Sequence, residues 1–287
     1  MKRIVHIVTS IYERDSVNSL IKILEQQSLV NISLIIVDHS ISKQKIISSS
    51  LVNIRVICAP SHFWFTAAIN TGLKEVSSTL KDSPIIILND DILIKGEDFI
   101  ANLIKPVVAS PLSIVGAVCI NMDTELVEYS GFKFSYLKCA FLPNKTNDSF
   151  DNDTLPTRAI AFNSNLLTHI GLLNEDVLPQ YGSDYEWTIR AKKYGYKLLI
   201  SSECKIYTKV DDSTRHIVSA RKVYRTDKLS TFFSELFSDK KQNSVITNLR
   251  FSSLVFNPIY SLYFTMYRAL KVIIGFIITN YLSRDPL

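Results

Sequence analysis

The chain has 287 residues, of which 47% are hydrophobic, so it carries enough apolar side chains for a sizeable core and lacks the composition of a disordered protein. Its net charge of +5 is uneven, because residues 205–287 hold 13 Lys/Arg and 6 Asp/Glu, a surplus of +7, which leaves −2 for the rest. Since this modest surplus accompanies an apolar tail and no recognition module, we do not expect nucleic acid as a partner.

The cysteines and the N-terminus predict a cytosolic protein. Cys58, Cys119, Cys139 and Cys204 are scattered without a metal-ligand spacing, which indicates reduced thiols. The basic start MKRIVHIVTS contains an apolar stretch too short for a signal-peptide core, so we expect no secretion.

The first 120 residues alternate between apolar β-branched runs and segments of helical length. Ser16–Gln27 and Glu97–Val108 are the predicted helices. The predicted strands are Ile4–Val8, Leu34–Val37, Ile54–Cys58, Ile85–Leu88 and Ile114–Cys119. This alternation predicts an α/β fold with a mostly parallel sheet flanked by helices, in which ligands bind outside the carboxyl ends of the strands.

Acidic residues follow two of these strands. Asp38 ends the run IIVD, and Asp90 and Asp91 follow the apolar run Pro84–Leu88. Two adjacent carboxylates repel each other unless donors or a cation offset their charge, and a hard cation such as Mg²⁺ binds carboxylates together with phosphate oxygens. The alternative is an ordinary turn in which residues 89–91 cap a following helix.

Beyond residue 120 the pattern changes. The sequence ELVEYSGFKFSY alternates like a hairpin strand, and the polar segment 142–157 is predicted to be a mobile surface loop. Helices are predicted near 164–170 and 184–194, followed by a stop at Gly195 and a strand at Lys197–Ile200.

The stretch YGSDYEW, residues 181–187, is a second acidic site. Ser183 and Glu186 have the spacing of a capping box, which predicts a helix start. Asp184 then lies in the first turn, where its side chain projects from the helix N-terminus and can accept a proton from a hydroxyl group. We expect the helix dipole to keep this carboxylate ionised.

The segment 251–282 is strongly apolar and aromatic, but Pro258, Arg268 and Lys271 interrupt it. It is therefore a poor transmembrane span, and we predict a pair of interfacial or protein-packed helices. Tyrosines beside basic residues favour attachment to an anionic membrane surface. The alternative is a helical cap packed on the domain.

A family resemblance rests on the segments IVTSIYERD, IIVDHS, FTAAINTGL, IIILNDDIL and YGSDYEWTIRAKKYGY. In this order, over roughly residues 3–207, they resemble the nucleotide-sugar glycosyltransferases of family 2, above all the rhamnosyltransferase-like bacterial members that build surface polysaccharides. The resemblance implies a GT-A fold, a Rossmann-like arrangement, over residues 1–215. Within this domain, residues 1–120 would bind the nucleotide sugar and residues 121–215 would carry the acceptor-binding and catalytic residues. Residues 216–287 would form a helical extension after the domain.

The resemblance also implies which residues bind the donor. The loop from Ser10 to Tyr12 would contact the nucleobase, and Asp38 would hydrogen-bond to the edge of the base. Asn70, in the family's Asn-x-Gly element, would lie near the nucleotide, and Asp90 would face the ribose or the metal.

For catalysis, the resemblance implies an inverting transfer. Asp91 would hold a divalent metal, Mg²⁺ or Mn²⁺, on the diphosphate, and Asp184 would be the general base. Two positions depart from the family pattern: Ser183 stands where Glu often precedes the catalytic Asp, and Thr208 stands where many members have a metal-binding His. We therefore expect a metal site with fewer protein ligands.

Several residues have two readings. His39 and Trp64 would touch the donor or serve as loop and packing residues. Arg158 would approach a phosphate, Glu186 would cap its helix or support the site, and Trp187 would stack on an acceptor sugar or be buried under its helix.

The expected reaction transfers a sugar from a UDP- or dTDP-sugar to a hydroxyl of a lipid-linked or growing cell-surface polysaccharide. It would occur on the cytoplasmic face of the cell membrane, with the chain as a monomer or a homo-oligomer. A sugar nucleotidyltransferase is an alternative, although the first loop lacks a Gly-rich phosphate cradle. A further alternative is a non-enzymatic scaffold in a membrane assembly.

Overall fold

A computed structural model describes residues 4–12, 16–28, 31–43, 45–77, 82–145, 152–208, 229–238, 241 and 243–278. The strands are β1 Val5–Ile11, β2 Ile32–Asp38, β3 Val52–Cys58, β4 Pro84–Leu88, β5 Leu93–Ile94, β6 Ser113–Asn121, β7 Val127–Tyr129, β8 Phe132–Ser135, β9 Ala140–Pro143, β10 Ala159–Asn163 and β11 Lys197–Thr208. The helices are α1 Ser16–Glu25, α2 Phe65–Ser77, α3 Phe99–Ala109, α4 Asn165–Ile170, α5 Ser183–Lys193, α6 Leu229–Leu236, α7 Val245–Val255 and α8 Pro258–Ile277.

A nine-stranded sheet forms the centre of the molecule, in the order β3-β2-β1-β4-β10-β6-β11-β5, with β7 paired to β6. The strands β3, β2, β1 and β4 are parallel, as the alternating pattern predicts. Further along, β10 pairs antiparallel with both β4 and β6, so the second half of the sheet is mixed. The carboxyl ends of β1, β2 and β4 consequently meet at one edge.

Helices cover both faces of this sheet, which explains why β4 is a continuous apolar run with every residue buried. One core layer contains apolar residues of α1 and α3, and the other contains residues of α2, α4 and α5. Gly72 permits close packing of α2, because a Cβ at this position would lie 2.4 Å from Val8 Cγ1 on β1.

The region after β6 differs from its prediction in two respects. The hairpin forms between β8 and β9, whereas β7 joins the main sheet. The predicted surface loop 142–157 is packed inward at its end, since Asn152, Thr154 and Leu155 are buried and the Thr154 and Thr188 hydroxyls lie 2.7 Å apart. Residues 146–151 lie outside the described part of the chain.

The described part of the C-terminal extension is helical. Ser244 caps α7, and Asn257 caps α8 by accepting the Tyr260 N–H at 2.9 Å, with Pro258 at the first helical position. Pro258 thus marks the boundary between two helices, as predicted. Among the described residues, no helix is both long and apolar enough to cross a membrane. The predicted domain boundary at 215 falls within 209–228, outside those residues.

The first half of α8 and the preceding α7 pack onto the domain. Phe251 and Phe264 form a buried cluster with Cys139 of the β8–β9 connection and Leu178 before α5. The inward face of these helices therefore agrees with the prediction of a helical cap.

Candidate active site

A cleft with a volume of about 460 Å³ opens at the carboxyl edge of the sheet. Ser10 and Tyr12 line it from the end of β1, His39 from the end of β2, and residues 89–91 from the end of β4. The loop 61–65 before α2 and Gln180 before α5 line the remaining sides. The structure therefore brings together the predicted site residues Ser10, Tyr12, Asp90 and Asp91.

The exit from β4 is a turn that leads into β5, so residues 89–91 do not cap a helix. The backbone N–H of Asn89 donates to the carbonyl oxygen of Arg158 at 2.9 Å. Asp90 is largely buried and its Oδ2 accepts from Ser16 Oγ at 2.5 Å, whereas Asp91 is exposed in the cleft. This difference leaves Asp91 as the more accessible carboxylate.

The turn has the donor set that a hard divalent cation requires. Asn89 Oδ1 is buried without a hydrogen-bond partner among the described residues, beside the carboxylates of Asp90 and Asp91. A buried acceptor without a partner costs free energy, and a cation would satisfy it. These oxygens fit Mg²⁺ or Mn²⁺ with phosphate oxygens and water as further ligands.

Further protein ligands are absent from the part of the chain that the structure describes, where no cluster of three His, Cys, Asp or Glu side chains forms a metal site. Thr208, which occupies the position of the expected histidine, is buried at the end of β11 with its Oγ1 3.4 Å from Cys119 Sγ. The described residues therefore offer few ligands to a cation at this turn, and a bound nucleotide or water would have to supply the others.

The other end of the cleft is aromatic. The ring of Tyr12 lies 5.2 Å from the His39 ring at a tilt of 33°, and Trp64 lines the same cavity. His39 Nδ1 is 3.0 Å from the Phe63 carbonyl oxygen, and burial lowers the pKa of His39 from 6.5. A neutral imidazole and a phenol ring thus present a flat, polar-edged surface.

Asp38 differs from the prediction that it faces a nucleobase. Its side chain is only 2% exposed, and Oδ1 accepts from both the backbone N–H of Ser40 at 3.0 Å and the Ser40 hydroxyl at 2.5 Å. His39, the next residue, lines the cleft instead. Neighbouring side chains of an extended strand point to opposite sides, so Asp38 at the end of β2 points away from the cleft while His39 points into it.

Asn70 also lies elsewhere than predicted. Its side chain donates to the Leu173 carbonyl oxygen at 2.8 Å and to Glu175 Oε2 at 2.7 Å, and accepts from the Leu173 N–H at 3.1 Å. Asn70 is buried and is not among the residues that line the cleft. Its amide therefore clamps residues 173–175 onto α2 rather than contacting a nucleotide.

Asp184 lies in the first turn of α5, as predicted, but the capping box does not form. Gly182 is the N-cap residue, and the Ser183 hydroxyl accepts from Thr66 Oγ1 at 2.8 Å. Glu186 forms an ion pair with Arg190 at 2.8 Å. The capping box does not form because α2 packs close to this segment, and Thr66 of α2 donates a hydrogen bond to the Ser183 hydroxyl.

The carboxylate of Asp184 is largely enclosed. Burial raises its pKa from 3.8 to about 6, although Oδ1 accepts the Tyr185 N–H at 2.9 Å and the Thr157 N–H also donates to the carboxylate. Desolvation is therefore the larger influence on this pKa, although the carboxylate stays ionised at neutral pH. Above pH 6 the group is still mostly ionised and basic enough to accept a proton.

Arg158 connects the two acidic sites. It is partly buried, and its positive charge acts on Asp91 and on Asp184 as well as on the phenols of Tyr129 and Tyr185. The sequence interpretation names Arg158 only as a residue that would approach a phosphate. Its position depends on the pairing of β10 with β4, which no local pattern indicates.

The side chains of Trp187 and Glu186 are both buried, and for Trp187 this is the alternative in which it packs under its helix. Trp187 is fully buried, its Nε1–H donates to the Gly171 carbonyl oxygen at 3.0 Å, and its ring packs edge-on against Phe162. Glu186 is buried in its ion pair with Arg190. Both side chains stabilise α5, and neither lines the cleft.

Gln180 is a cleft residue that the sequence interpretation missed. Its Oε1 accepts the Phe65 N–H at 3.0 Å, and the Thr66 N–H donates to the Pro179 carbonyl oxygen nearby. These bonds join the start of α2 to the segment before α5, across 115 residues of sequence. No signal in the sequence marks a contact of that separation.

Comparisons with known proteins identify the fold. Neither a protein-family model nor a curated protein matches the sequence. Among solved structures, GalNAc-T7 with UDP, GalNAc and Mn²⁺ superposes with a TM-score of 0.63 at 12% identity, covering 91% of this chain and 49% of that one. The chain thus spans about half the length of that neighbour.

A second neighbour matches over nearly its whole length. The mannosyltransferase PcManGT from Pyrobaculum calidifontis, in complex with GDP-Man and Mn²⁺, has a TM-score of 0.55 at 12% identity, with 98% of this chain and 88% of that one covered. The curled central sheet flanked by helices is therefore that of the GT-A fold.

Proposed function

We propose that the protein is an inverting glycosyltransferase that uses a nucleotide-diphosphate sugar. The observation that carries this proposal is the 460 Å³ cleft at the carboxyl edge of a GT-A sheet, in which Asp91 is exposed. Arg158 and Asp184 are not among the residues that line this cleft, but the charge of Arg158 acts on both Asp91 and Asp184. The two structural neighbours are a GalNAc transferase and a mannosyltransferase, each with a nucleotide and Mn²⁺.

The donor occupies the cleft in this proposal. Its nucleobase packs on the ring of Tyr12 beside His39, and its diphosphate lies toward Asp90 and Asp91. From the family 2 resemblance, the nucleotide is UDP or dTDP. The side chains of Trp64 and Gln180 are then placed near the sugar end of the cavity.

Leaving-group stabilisation comes from two sources. Asp91, with Asp90 and Asn89 Oδ1, would hold a divalent ion, and such an ion would neutralise charge on the diphosphate. Arg158 adds a fixed positive charge close to Asp91. Because the described residues supply few metal ligands, this guanidinium carries part of the charge compensation.

Asp184 is the general base. It takes the proton from the acceptor hydroxyl while that oxygen bonds to the anomeric carbon and the carbon–oxygen bond to the diphosphate breaks. A single displacement of this kind inverts the anomeric carbon. The pKa of about 6 suits a base at neutral pH, since the group is ionised but more basic than an exposed carboxylate.

The acceptor in this proposal is a lipid-linked or growing cell-surface polysaccharide, as in the rhamnosyltransferase-like members of family 2. This part of the proposal is supported by the sequence resemblance. An acceptor that is attached to lipid would place the enzyme at a membrane face, and we take this face to be the cytoplasmic one.

The test is calorimetric binding of UDP, dTDP, GDP, CDP and ADP to the purified protein, with and without Mn²⁺ or Mg²⁺. We expect one pyrimidine nucleotide to bind with metal, and Asp91→Asn to weaken that binding by at least about tenfold. Glu97→Gln is the control, because Glu97 is exposed after β5 and outside the cleft. Absence of binding under every condition would overturn the proposal and favour a non-enzymatic scaffold.

A further inference from the structure

Helix α8 has two apolar faces, and the described residues of the chain cover only one of them. The inward face includes Phe264, Val272 and Phe276, which pack against α6, α7 and the β8–β9 hairpin. The outer face of α8 consists of large apolar side chains that are exposed in the part of the chain that the structure describes: Ile259, Leu262, Met266, Leu270, Ile274 and Ile277.

The outer face is a continuous stripe. Its residues follow one another at intervals of three or four positions, which places them on one side of an α-helix. From Ile259 to Ile277 the stripe runs for about 27 Å at the helical rise per residue. Ile259 is 86% and Met266 64% exposed, so the exposure is large. A contiguous patch of this kind indicates an interaction site.

Tyrosines lie along one edge of this stripe. The rings of Tyr260, Tyr263 and Tyr267 follow one another at centroid distances of 5.7 and 6.0 Å. The Tyr260 hydroxyl donates to the Tyr136 carbonyl oxygen, which fixes the ladder against the domain. Tyrosine is suited to a boundary between an apolar phase and water, because its ring is apolar and its hydroxyl is polar.

The charged residues of α7 and α8 are all basic: the two helices contain Arg250, Arg268 and Lys271 and no acidic residue. Arg268 points inward to the Cys139 carbonyl oxygen and Asn243, whereas Lys271 is exposed on α8. They belong to the region 205–287 with its surplus of +7. Basic residues near an apolar helical face are attracted to anionic lipid headgroups.

We propose that the outer face of α8 docks on the surface of an anionic lipid bilayer, with the helix axis parallel to the membrane plane. Its apolar side chains would reach the boundary between headgroups and acyl chains, while the inward face stays packed on the domain. A second copy of the chain suits this face less well, because two copies would bring basic helices together without an acidic partner on α7 or α8.

The test uses the full-length protein and sedimentation with two kinds of vesicle: phosphatidylcholine alone, and phosphatidylcholine with phosphatidylglycerol. We expect binding to the anionic vesicles that weakens as salt is added. The double variant Leu262→Glu, Leu270→Glu should weaken binding to the anionic vesicles by at least about tenfold, because each substitution removes apolar area that would be buried in the bilayer. Lys271→Gln should weaken it about fivefold, and only on anionic vesicles.

Leu126→Glu is the matched control, since Leu126 is exposed on the turn between β6 and β7, and it should bind like the unmodified chain. Equal binding to both vesicle types, or none to either, would overturn the proposal. Light scattering without lipid gives a second contrary outcome. If the chain forms a dimer that the double variant abolishes, the outer face of α8 is an interface between two copies of the chain, and the proposal is overturned. The vesicle assay contains neither sugar donor nor acceptor. A negative result would therefore argue against membrane docking and would not bear on the proposed sugar transfer.

Discussion

At the scale of single residues, Asp184 combines two opposing influences. Burial raises its pKa to about 6, and the backbone N–H groups of Tyr185 and Thr157 hold the carboxylate in position. Arg158 places a positive charge near both Asp184 and Asp91. Asp184 is thus ionised at neutral pH but held in surroundings that disfavour its charge.

The pH dependence of transfer follows from this pKa. Because the base must be ionised, kcat/KM should rise with pH through about 6 and level off above it, with a loss of about tenfold per unit below. Asp184→Asn should lower kcat by about 10²- to 10⁴-fold while donor binding measured by calorimetry is retained. Normal turnover by this variant would exclude Asp184 as the base.

The same variant should affect stability in the opposite sense. A folded-state pKa above 3.8 means that the protonated form contributes stability that is present at low pH and is lost as pH rises through about 6. Asp184→Asn should therefore stabilise the fold by about 1–3 kcal/mol at pH 7, and the gain should vanish near pH 4. Thermal unfolding at both pH values measures this.

Asp176→Asn is the control for that experiment, because Asp176 is exposed in the same region of the chain. Its effect should stay within about 0.5 kcal/mol at both pH values. A destabilised Asp184→Asn at pH 7 would mean that the carboxylate's hydrogen bonds outweigh its desolvation.

At the scale of elements, Asn70 and Gly72 have structural roles in α2. Asn70 clamps residues 173–175, and Gly72 lets the helix approach Val8 on β1. The segment that Asn70 holds leads to Gln180, so the clamp supports the wall of the cleft that Gln180 forms.

Asn70→Ala should lower the free energy of unfolding by about 1–3 kcal/mol, because it leaves the Leu173 N–H without its acceptor, whereas the Leu173 carbonyl oxygen still accepts the Glu175 N–H. Denaturant unfolding measures the loss, and the nucleotide dissociation constant should change little. Thr71→Ala is the control, since Thr71 bonds only within its own helix at Ala67. If Asn70→Ala instead weakened nucleotide binding and left the free energy of unfolding unchanged, the prediction that Asn70 contacts the nucleotide would be supported.

At the scale of the whole molecule, the C-terminal helices complete the domain's packing. Phe264 is buried against Phe134 of the hairpin and Phe251 of α7, at ring distances of 6.1 and 6.3 Å. Arg268 reaches back to the Cys139 carbonyl oxygen at 3.3 Å. These contacts couple the extension to the region that carries α5.

Phe264→Ala should destabilise the entire protein by about 3–5 kcal/mol in a single unfolding transition, because it opens a cavity in a shared cluster. Met266→Ala, on the outer face of the same helix, should cost far less. Circular dichroism during thermal unfolding measures both. The contrary outcome is two separate unfolding transitions, of which Phe264→Ala lowers only the earlier one. Such a result would show that the C-terminal helices fold independently of the domain.

The amino-acid sequence by itself determined the positions of most elements and of the acidic turn. The buried run of β4, the Asn257–Pro258 helix start and the placement of Asp90 and Asp91 at the carboxyl edge follow from local patterns, because periodicity and capping act within a few residues.

Only the tertiary structure decided which side chains face the cleft. Asn70 bonds to Leu173 across 103 residues, β10 enters the sheet antiparallel and brings Arg158 between Asp91 and Asp184, and packing buries Trp187. Each outcome depends on contacts between segments far apart in the chain, whose geometry is set by how the layers pack and not by any local propensity.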